Sequence, residues 1–461
     1  MRSHKRTLAA LLIFPVLLLP SRANSDEQLR TKIGQMIIVG FDGTVVPDSI
    51  RVDLARRNLG GVILMGRNCV SPTQIQQLNA QIQSLAQTPP FIAVDQEGGT
   101  VARLNQSNGF AATFSAYTSG TMMSSADSTA RQAETMAAWL SSSGFTINFA
   151  PVVDVNVNPQ SPAIGHYGRS FSGDPSTVAL HAGRFIDEFH ARRVITTLKH
   201  FPGHGSAGTD SHLDLPDITP TWADSELIPY RSLLATNRVD VVMVGHLFNA
   251  HVDSLSPSSL SFSTVTGLLR GSLGYKGVVI SDDLYAMRAI TDRYGYEEAA
   301  VRAINAGVDV LLYVGSTLNG SSLVRQLTDT IEARVKNGII AEGRINESYD
   351  RIQQLKARFV GDGIPGTSLA STSILRQIRL ENYPNPFNPA TTMRFRIDRP
   401  TRVTMTITNV LGQEIATLAD RHLMAGTYEY AWDAKGQPTG VYFCRLQTES
   451  GAVVRRLLLV R

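Results

Sequence analysis

Fourteen residues, KHFPGHGSAGTDSH at positions 199–212, concentrate side chains that can bind a metal ion or transfer protons. One lysine, three histidines and one aspartate are separated here by small residues and a single proline. These residue types allow three interpretations: a zinc site, a proton-transfer loop, or a polar loop whose histidines only satisfy hydrogen bonds.

The zinc interpretation rests on the spacing of the histidines. His200 and His204 are four residues apart, as two ligands on one face of a helix would be. Asp210 or His212 could complete the shell. However, a Pro-Gly pair lies between the first two histidines and would break that helix, and no glutamate follows the first histidine as in the helical metalloprotease motif. We therefore expect no metal in this segment.

The proton-transfer interpretation explains more of these residues. A histidine, with an ordinary pKa of about 6.5, can give and take a proton at neutral pH, and a neighbouring carboxylate can orient it and stabilise its charged form. Asp210 and His212 are two residues apart in a glycine-containing loop, so their side chains can meet if the loop bends. Lys199 and His200 close an apolar run and would then bind substrate hydroxyl groups.

Short apolar runs rich in β-branched residues recur between residues 30 and 320 and alternate with segments of helical periodicity. Nearly continuous apolar strands alternating with helices indicate parallel strands buried on both faces. Eight such units predict an α/β fold, a (β/α)8 TIM-like barrel. The runs occupy residues 36–41, 60–65, 91–96, 146–155, 194–201, 239–246, 277–283 and 308–315.

Polar residues close several of these runs, at the strand ends where a barrel of this type builds its active site. A random scatter of charges would not favour those positions, so we expect the side chains to face one site. They are Asp95, Asp154, Lys199, His200, His246, Asp282 and Asp283.

The motifs around these residues resemble the β-N-acetylhexosaminidase branch of glycoside hydrolase family 3. The resemblance covers residues 27–358, the predicted catalytic domain, and rests on four motifs in the same order. These are AVDQEGGTVARL at 93–104, GRSF at 168–171, KHFPGHG with DSH within 199–212, and GVVISDDL at 277–284.

The resemblance implies a retaining glycosidase without a cofactor, in which Asp282 is the nucleophile and forms a covalent glycosyl-enzyme. His212 would protonate the leaving oxygen and later activate water, with Asp210 as its partner, where most retaining glycosidases use a second carboxylic acid. Five residues match positions that bind the terminal sugar: Asp95, Arg103, Arg169, Lys199 and His200.

Several assignments keep alternatives. Asp283 could be the nucleophile, although adjacent residues in a strand face opposite sides, so only one can point into the site. Arg169 could be a structural ion-pairing arginine, and its GHYGRSF segment has extra residues relative to the family pattern. Asp154 could support the site from behind. His204 and His246 are expected near the site without a catalytic role.

The two ends of the chain differ from the barrel. Residues 1–23 combine basic residues, an apolar run and small residues at a cleavage site, which predicts a secretory signal peptide, with an uncleaved membrane anchor as the alternative. Residues 361–379 have the composition of a linker. The alternating pattern within 380–461 predicts a small all-β sandwich.

The start of that sandwich, YPNPFNP, resembles the C-terminal sorting domain of the type IX secretion system. The resemblance implies export through the periplasm to the medium or the cell surface, with the secretion machinery as a partner. A carbohydrate-binding sandwich is the alternative, in which Trp432, Tyr428 and Tyr430 would form a stacking platform. Alternating aromatics in a small sandwich more often form its core.

The composition excludes other classes of function. The net charge of +4 over 461 residues, without a basic stripe interleaved with aromatics, indicates no nucleic-acid partner. Two cysteines exclude a disulfide framework but not one bridge. With the resemblance, we expect a monomeric exo-β-N-acetylglucosaminidase acting on peptidoglycan fragments or chitin oligosaccharides. The alternatives are a β-glucosidase, an N-acetylglucosaminide phosphorylase and a noncatalytic glycan-binding surface protein.

Overall fold

The chain divides into two units, Met1–Pro365 and Gly366–Arg461, which are described separately. Residues 1–21 of the predicted signal peptide and the predicted linker 361–379 lie outside the described residues. The computed structural model describes residues 22–123, 125–360, 380–397, 400–409, 413–424, 426–448 and 451–460.

Eight parallel strands form the centre of the first unit, one within each predicted apolar run. Their order around the sheet follows the chain, and an isolated bridge between Ile280 and Val310 joins the last two strands and closes the ring. The predicted barrel is therefore confirmed. The strands are β1 Ile37–Gly40, β2 Gly61–Leu64, β3 Phe91–Val94, β4 Ile147–Asn148, β5 Ile195–Phe201, β6 Val241–Val244, β7 Val278–Ser281 and β8 Leu311–Tyr313.

Helices surround this barrel because each connection between parallel strands must cross over outside the sheet. A π-helical segment, Ser263–Ser272, makes the crossover between β6 and β7. The α-helices are α1 Arg22–Gln35, α2 Asp48–Arg56, α3 Pro72–Leu85, α4 Ala126–Ser142, α5 Pro175–Ala191, α6 Ile228–Leu234, α7 Arg288–Ala306, α8 Leu323–Lys336 and α9 Glu342–Phe359. No helix in the described part of the chain is long and apolar enough to cross a bilayer.

The second unit consists of two antiparallel sheets, which confirms the predicted all-β tail. One sheet has the order β9-β10-β13 and the other has the order β12-β11-β14-β15. The strands are β9 Leu380–Tyr383, β10 Ala390–Ile397, β11 Thr401–Asn409, β12 Glu414–Leu423, β13 Gly426–Asp433, β14 Gly440–Thr448 and β15 Gly451–Leu459.

The aromatic residues of this tail mostly serve its core. Trp432 is 4% exposed and packs against Phe387 and Tyr442, so it cannot stack on a sugar. Tyr428 and Tyr430 are half-buried and stack against the core. The stacking platform considered above is therefore not present in this form. Cys444 in the tail and Cys69 in the barrel unit are both buried free thiols.

A lysine of α9 covers the end of the barrel opposite the strand ends discussed above. The Lys356 ammonium donates hydrogen bonds to Gln35 Oε1 (2.8 Å) and the Gly60 carbonyl (3.0 Å), and it lies 4.6 Å from the centre of the Phe91 ring. These groups directly precede or begin β1, β2 and β3. Burial without a carboxylate partner lowers the pKa of Lys356 to about 7.

Replacing this lysine by an apolar side chain of similar length should stabilise the protein. In Lys356→Met both acceptors keep a donor, because Gln353 Nε2 also donates to Gln35 (3.0 Å) and the Phe91 N–H also donates to Gly60 (2.9 Å). We expect a gain of about 1–2 kcal/mol at pH 7, or roughly 2–6 °C in Tm.

Thermal denaturation at two pH values checks the cause of this gain. The native pKa lies below the unfolded value, so the buried charge costs most at and below pH 7, and the gain should shrink toward pH 10. Lys276→Met, at an exposed position, is the control and should change Tm little. A lower Tm in Lys356→Met would show that the hydrogen bonds of the amine outweigh its desolvation.

Candidate active site

The predicted site residues collect at the carboxyl ends of the barrel strands. Asp95 follows β3, Lys199 and His200 lie in the last residues of β5, and Asp282 follows β7. Lys199, His200 and Asp282 are 3%, 5% and 7% exposed, respectively. Parallel strands in a barrel bring these ends to one rim, so residues far apart in the sequence share one pocket.

A buried ion network forms the floor of this pocket. Lys199 Nζ lies 2.9 Å from Asp95 Oδ1 and 2.7 Å from Glu97 Oε1. Arg103 Nη2 lies 3.1 Å from Asp95 Oδ2, and Arg169 donates to both Glu97 oxygens at 2.9 and 2.8 Å. Each carboxylate is therefore shared by two cations, and each acidic oxygen has a donor.

The cations keep both carboxylates ionised despite their burial. Burial alone would raise the pKa of Asp95, but Lys199 and Arg103 hold it well below its usual range. Burial opposes the ionisation of Glu97 in the same way, yet Arg169 and Lys199 lower its pKa to about 2. The same carboxylates raise the pKa of Lys199 against the effect of its burial. The network is thus fully charged at neutral pH.

Glu97 is a site residue that the sequence analysis missed. It lies two residues after Asp95, in the same motif, on a short hairpin formed by Gln96–Gly98 and Val101–Ala102. A second carboxyl group two positions beyond a functional strand end was the available signal. Its pairing with Arg169 depends on the fold, because these residues are 72 positions apart.

Arg169 is an ion-pairing arginine next to His200. It makes a bidentate ion pair with Glu97 and donates to the Ala163 carbonyl (2.9 Å), as a structural arginine would. Its Nη2 also lies 3.3 Å from His200 Nε2. The ion pair therefore holds the guanidinium beside His200, and its sugar-binding role stays a prediction of the resemblance.

Asp154 orients the histidine of this pocket from below. The carboxyl group is fully buried, and its Oδ2 accepts a hydrogen bond from His200 Nδ1 at 2.7 Å. Its Oδ1 accepts the backbone N–H groups of His200 (3.1 Å) and His204 (2.8 Å). These contacts agree with the supporting role considered for Asp154, in which it positions other groups of the site from behind.

The two adjacent aspartates after β7 have different surroundings. Asp283 accepts backbone N–H groups from Tyr285, Ala286 and Val314, which occupies both of its oxygens. Asp282 has one such contact, from the Asp283 N–H to Oδ1 at 2.8 Å. Asp282 therefore has a carboxylate oxygen available for chemistry, whereas Asp283 shapes the turn.

Electrostatics separate the same two residues. Burial would raise the pKa of Asp282, but the rings of His200 and His246 and the Asp283 N–H lower it below its usual value. The pKa of Asp283 is instead raised to about 6, because burial outweighs its backbone hydrogen bonds. Only Asp282 combines a buried position with stable ionisation at neutral pH, as a nucleophile requires.

Residues 203–212, here named the dyad loop, bring Asp210 and His212 together as predicted. His212 Nδ1 lies 2.7 Å from Asp210 Oδ1, which also accepts the His212 backbone N–H at 3.0 Å. The hydrogen bond with Asp210 raises the pKa of His212, and the Asp282 carboxylate contributes in the same direction. The side chain of His212 is 61% exposed, so this group faces the opening of the pocket.

The tip of the dyad loop is fastened to the chain that follows Asp282. The Ser211 carbonyl accepts the Ala289 N–H at 3.2 Å, and the Ser211 hydroxyl contacts Met287 Sδ at 3.6 Å. Ser211 stands between Asp210 and His212 in the sequence and is buried, and it was not among the predicted site residues. This contact sets the dyad beside Asp282.

The folded chain does not place His200 and His204 on one helical face, as a zinc site of that spacing would require. His200 belongs to β5 and His204 to the dyad loop, so they share no helical face, and their ring centres are 5.7 Å apart. Within the described ranges, no cluster of three or more histidine, cysteine, aspartate or glutamate side chains has the arrangement of a metal site. His246 is buried between the Ser259 hydroxyl (2.7 Å) and the Asp283 carbonyl (3.0 Å) and so has a packing role.

Comparisons with known proteins agree with the resemblance. Residues 28–355 match the model of the glycosyl hydrolase family 3 N terminal domain, and residues 381–460 match that of the secretion system C-terminal sorting domain. Both family resemblances are therefore confirmed.

Three relatives show the extent of the similarity. The beta-hexosaminidase of Tolumonas auensis is 33% identical over 342 residues, which are 70% of this chain and 99% of that protein. Beta-hexosaminidase A of Pseudoalteromonas piscicida is 32% identical over 341 residues, 68% of this chain and 56% of that protein. The family 3 beta-N-acetylglucosaminidase structure from Paenibacillus sp. FPU-7 has a TM-score of 0.68 at 36% identity, covering 75% of this chain and 65% of that one.

Neutralising Glu97 should destabilise the barrel unit, because Lys199 and Arg169 would then share too little negative charge. We expect Glu97→Gln to lower the free energy of unfolding by roughly 3 kcal/mol at neutral pH. The pKa of Glu97 is about 2 in the folded protein and lies below its unfolded value. The difference in stability between the wild type and the variant should therefore have its full size above about pH 4.5 and should decrease toward pH 2.

Urea denaturation of the purified variants measures this loss. Glu134→Gln is the matched control, because Glu134 is 59% exposed and pairs with Arg192 only at 3.7 Å, so its removal should cost less than about 0.5 kcal/mol. Equal effects of the two substitutions would contradict the assigned importance of the buried network.

Proposed function

This chain belongs to glycosyl hydrolase family 3, and from that premise we propose that it is a secreted, retaining exo-β-N-acetylglucosaminidase. Its substrates would be peptidoglycan fragments or chitin oligosaccharides, from which it removes the nonreducing terminal N-acetylglucosamine. The relatives described above, a beta-hexosaminidase and a beta-N-acetylglucosaminidase, support the choice of sugar. The observation that carries the mechanism is the Asp210–His212 contact of 2.7 Å on a loop beside the ionised Asp282.

The first chemical step assigns one group to each side of the glycosidic bond. Asp282 attacks the anomeric carbon, and the bond to the leaving oxygen breaks as the His212 imidazolium donates its proton to that oxygen. The product is a covalent glycosyl-enzyme. The hydrogen bond with Asp210 raises the pKa of the imidazole, which favours its protonated form, and fixes its orientation, which supports the role of Asp210 as the partner of the acid.

The second step reverses the proton transfer. Neutral His212 accepts a proton from water, the water oxygen attacks the anomeric carbon, and the Asp282 carboxylate departs, so the original configuration is restored. Asp95, Arg103, Arg169, Lys199 and His200 would bind the hydroxyl groups of the terminal sugar. The ion network with Glu97 holds the first four of these side chains, and Asp154 holds His200, in fixed positions before substrate arrives, which favours discrimination among sugars.

The tail supports a location outside the cytoplasm. A match to a secretion sorting domain over residues 381–460 is expected of a protein that leaves the cell. We propose passage through the periplasm and then across the outer membrane, to the medium or the cell surface, where large glycans are accessible. Components of the secretion machinery would bind the tail.

Activity on p-nitrophenyl N-acetyl-β-D-glucosaminide tests the assignment of the two catalytic groups. Asp282→Asn should lower kcat by roughly 10⁴-fold or more, because no glycosyl-enzyme can form. His212→Ala should lower kcat by about 10²-fold or more, because His212 no longer activates the water that releases the glycosyl-enzyme, and should lower kcat/KM less, because p-nitrophenolate leaves with little protonation. Near-native circular dichroism of both variants is the control.

The same assay distinguishes the alternatives. Preference for the glucoside analogue would indicate a β-glucosidase, and sugar phosphate formed in phosphate buffer would indicate a phosphorylase. Binding of glycans by a folded wild-type protein that releases nothing from any of these substrates would refute the enzyme assignment.

The pH dependence of kcat/KM tests the role of Asp210. The acid must be protonated, so activity should fall as pH rises through the pKa of His212, which Asp210 raises. Asp210→Asn should therefore move this alkaline limb to lower pH. Asp214→Asn is the control, because Asp214 pairs with Arg293 at 2.9 Å and is not the partner of His212. If the alkaline limb of the kcat/KM profile stays at the wild-type pH in Asp210→Asn, the assignment of Asp210 as the partner of His212 is refuted.

A further inference from the structure

One face of the chain at residues 222–230 lies directly beneath the first residues of the dyad loop. The indole N–H of Trp222 donates to the Pro202 carbonyl at 3.1 Å. Glu226, four residues later, lies against Gly203, where an added Cβ would approach its Oε2 to 2.8 Å. The first residues of the dyad loop, 203–206, are here named the root. The root therefore rests on Glu226, and the residue before it is bonded to Trp222.

The root has no free space on its opposite side. A Cβ at Gly205 would lie 1.7 Å from the Val155 carbonyl oxygen, so the backbone runs directly over the chain that follows β4. The His204 N–H is also bonded to Asp154 at 2.8 Å. Held between Val155 and Glu226, the root must move when the Glu226 side chain moves.

The polar atoms around Glu226 form a buried group without partners. Both Glu226 carboxyl oxygens and the Ser206 and Tyr230 hydroxyls lack a hydrogen bond of proper geometry within the described part of the chain. All three residues are at most 2% exposed. An unsatisfied buried polar group costs about 1–3 kcal/mol and a charged one costs more, so this surrounding disfavours a carboxylate.

The charges that face Glu226 also disfavour its ionised form. Asp154, from the segment after β4, carries the same charge as an ionised Glu226, while Ser206 faces it from the loop and Tyr230 from the adjoining helix α6. No lysine or arginine of the described residues forms an ion pair with it. Burial raises the pKa of Glu226 to about 7, and Asp154 adds to this, while the nearby Ser206 hydroxyl and the Gly205 and Ser206 N–H groups oppose it.

We propose that Glu226 is a positioning residue for the dyad loop and that it supports the loop as a neutral carboxylic acid. The proposal rests on the proposed function, because it acts through the proton transfer by His212. A neutral carboxyl can remain in contact with Gly203 and Ser206 at little cost. When it ionises, the Ser206 hydroxyl and the Gly205 and Ser206 N–H groups, which lie near it without hydrogen-bond geometry, must turn toward it, and the root that contains them must shift.

Such a shift reaches the catalytic dyad along a short path. Only three residues separate Ser206 from Asp210, and the tip beyond is fastened by the Ser211 contact with Ala289. A displaced root pulls on Asp210 while Ser211 stays anchored, so the Asp210–His212 contact and the approach of His212 to the leaving oxygen change. Proton donation should therefore weaken, whereas attack by Asp282, on another strand end, should be unaffected.

The leaving-group dependence of kcat/KM isolates this effect. A 2,4-dinitrophenyl leaving group needs little protonation, whereas the sugar oxygen of N,N′-diacetylchitobiose needs it fully. At pH 6, Glu226→Ala should lose about 10–100-fold on the disaccharide and less than about 3-fold on the dinitrophenyl glycoside. Glu226→Gln, which imitates the neutral acid, should match the wild type at pH 6 in the ratio of the disaccharide kcat/KM to the dinitrophenyl kcat/KM. At pH 8, where Glu226 of the wild type is ionised, the variant should keep a higher ratio than the wild type.

Leu233→Ala provides the matched control on the same helical segment. Leu233 is 3% exposed and packs in the barrel core away from the loop, so its truncation should lower Tm and leave the leaving-group ratio unchanged. An unchanged ratio in Glu226→Ala, with an active wild type, would overturn this proposal alone. A wild type inactive on both substrates would overturn the proposed function as well.

A spectroscopic titration tests the neutral state without any activity. The chain has three tryptophans, and replacing Trp139 and Trp432 by phenylalanine leaves Trp222 as the reporter next to Glu226. Its emission should change with a midpoint near pH 7, and Glu226→Gln in this background should abolish that transition. A transition that persists in Glu226→Gln would show that another group titrates and would overturn the assigned protonation state.

Discussion

The site depends on one constraint: a fully buried ammonium group must be neutralised where the barrel strands end. Lys199 is 3% exposed and lies within 3 Å of two carboxylates, Asp95 and Glu97, from the chain that follows β3, two strands away around the barrel. Those carboxylates in turn require Arg103 and Arg169. The network therefore fixes the relative positions of the strand end after β3, the segment after β4 and the end of β5, and the substrate hydroxyl groups would meet a set of charges already held in place.

A buried ionisable group without an oppositely charged partner shifts toward its neutral form. The pKa of Lys356 falls to about 7 and that of Glu226 rises to about 7, each toward the neutral form at neutral pH. The barrel unit thus contains two kinds of buried ionisable group. Compensated groups are permanently charged and hold geometry, whereas uncompensated groups are sensitive to pH near neutrality. Glu226 belongs to the second kind and lies under the loop that would supply the proton.

The sequence was sufficient to predict the strands and the polar residues at their ends, but not the contacts that many of the site residues make. Each apolar run became a strand because burial on both faces needs little more than β-branched apolar residues, and the polar residues at the run ends reached one rim because parallel strands require it. Glu97, Ser211 and Glu226 were missed, since their importance arises from contacts with residues distant in sequence. Asp210 and His212 could be paired in advance because a bend in one loop suffices. Trp432 shows the reverse case, in which the residue type allowed sugar stacking and only packing against Phe387 excluded it.

The exposure of His212 explains why a histidine with a carboxylate partner suits this position better than a carboxylic acid. A glutamate on an exposed loop would have a pKa of about 4.3 and would be ionised at neutral pH, so it could donate no proton. Glycosidases that use a carboxylic acid raise its pKa by burying it in an apolar pocket. The dyad loop has no such pocket at its tip, where the His212 side chain is 61% exposed. An imidazole begins near neutrality, and the bond to Asp210 raises its pKa without burial. In the proposed mechanism, the proton donor can therefore stay at the solvent-facing rim, where the leaving group would depart and water would enter, while the proposed nucleophile, Asp282, remains buried on the barrel.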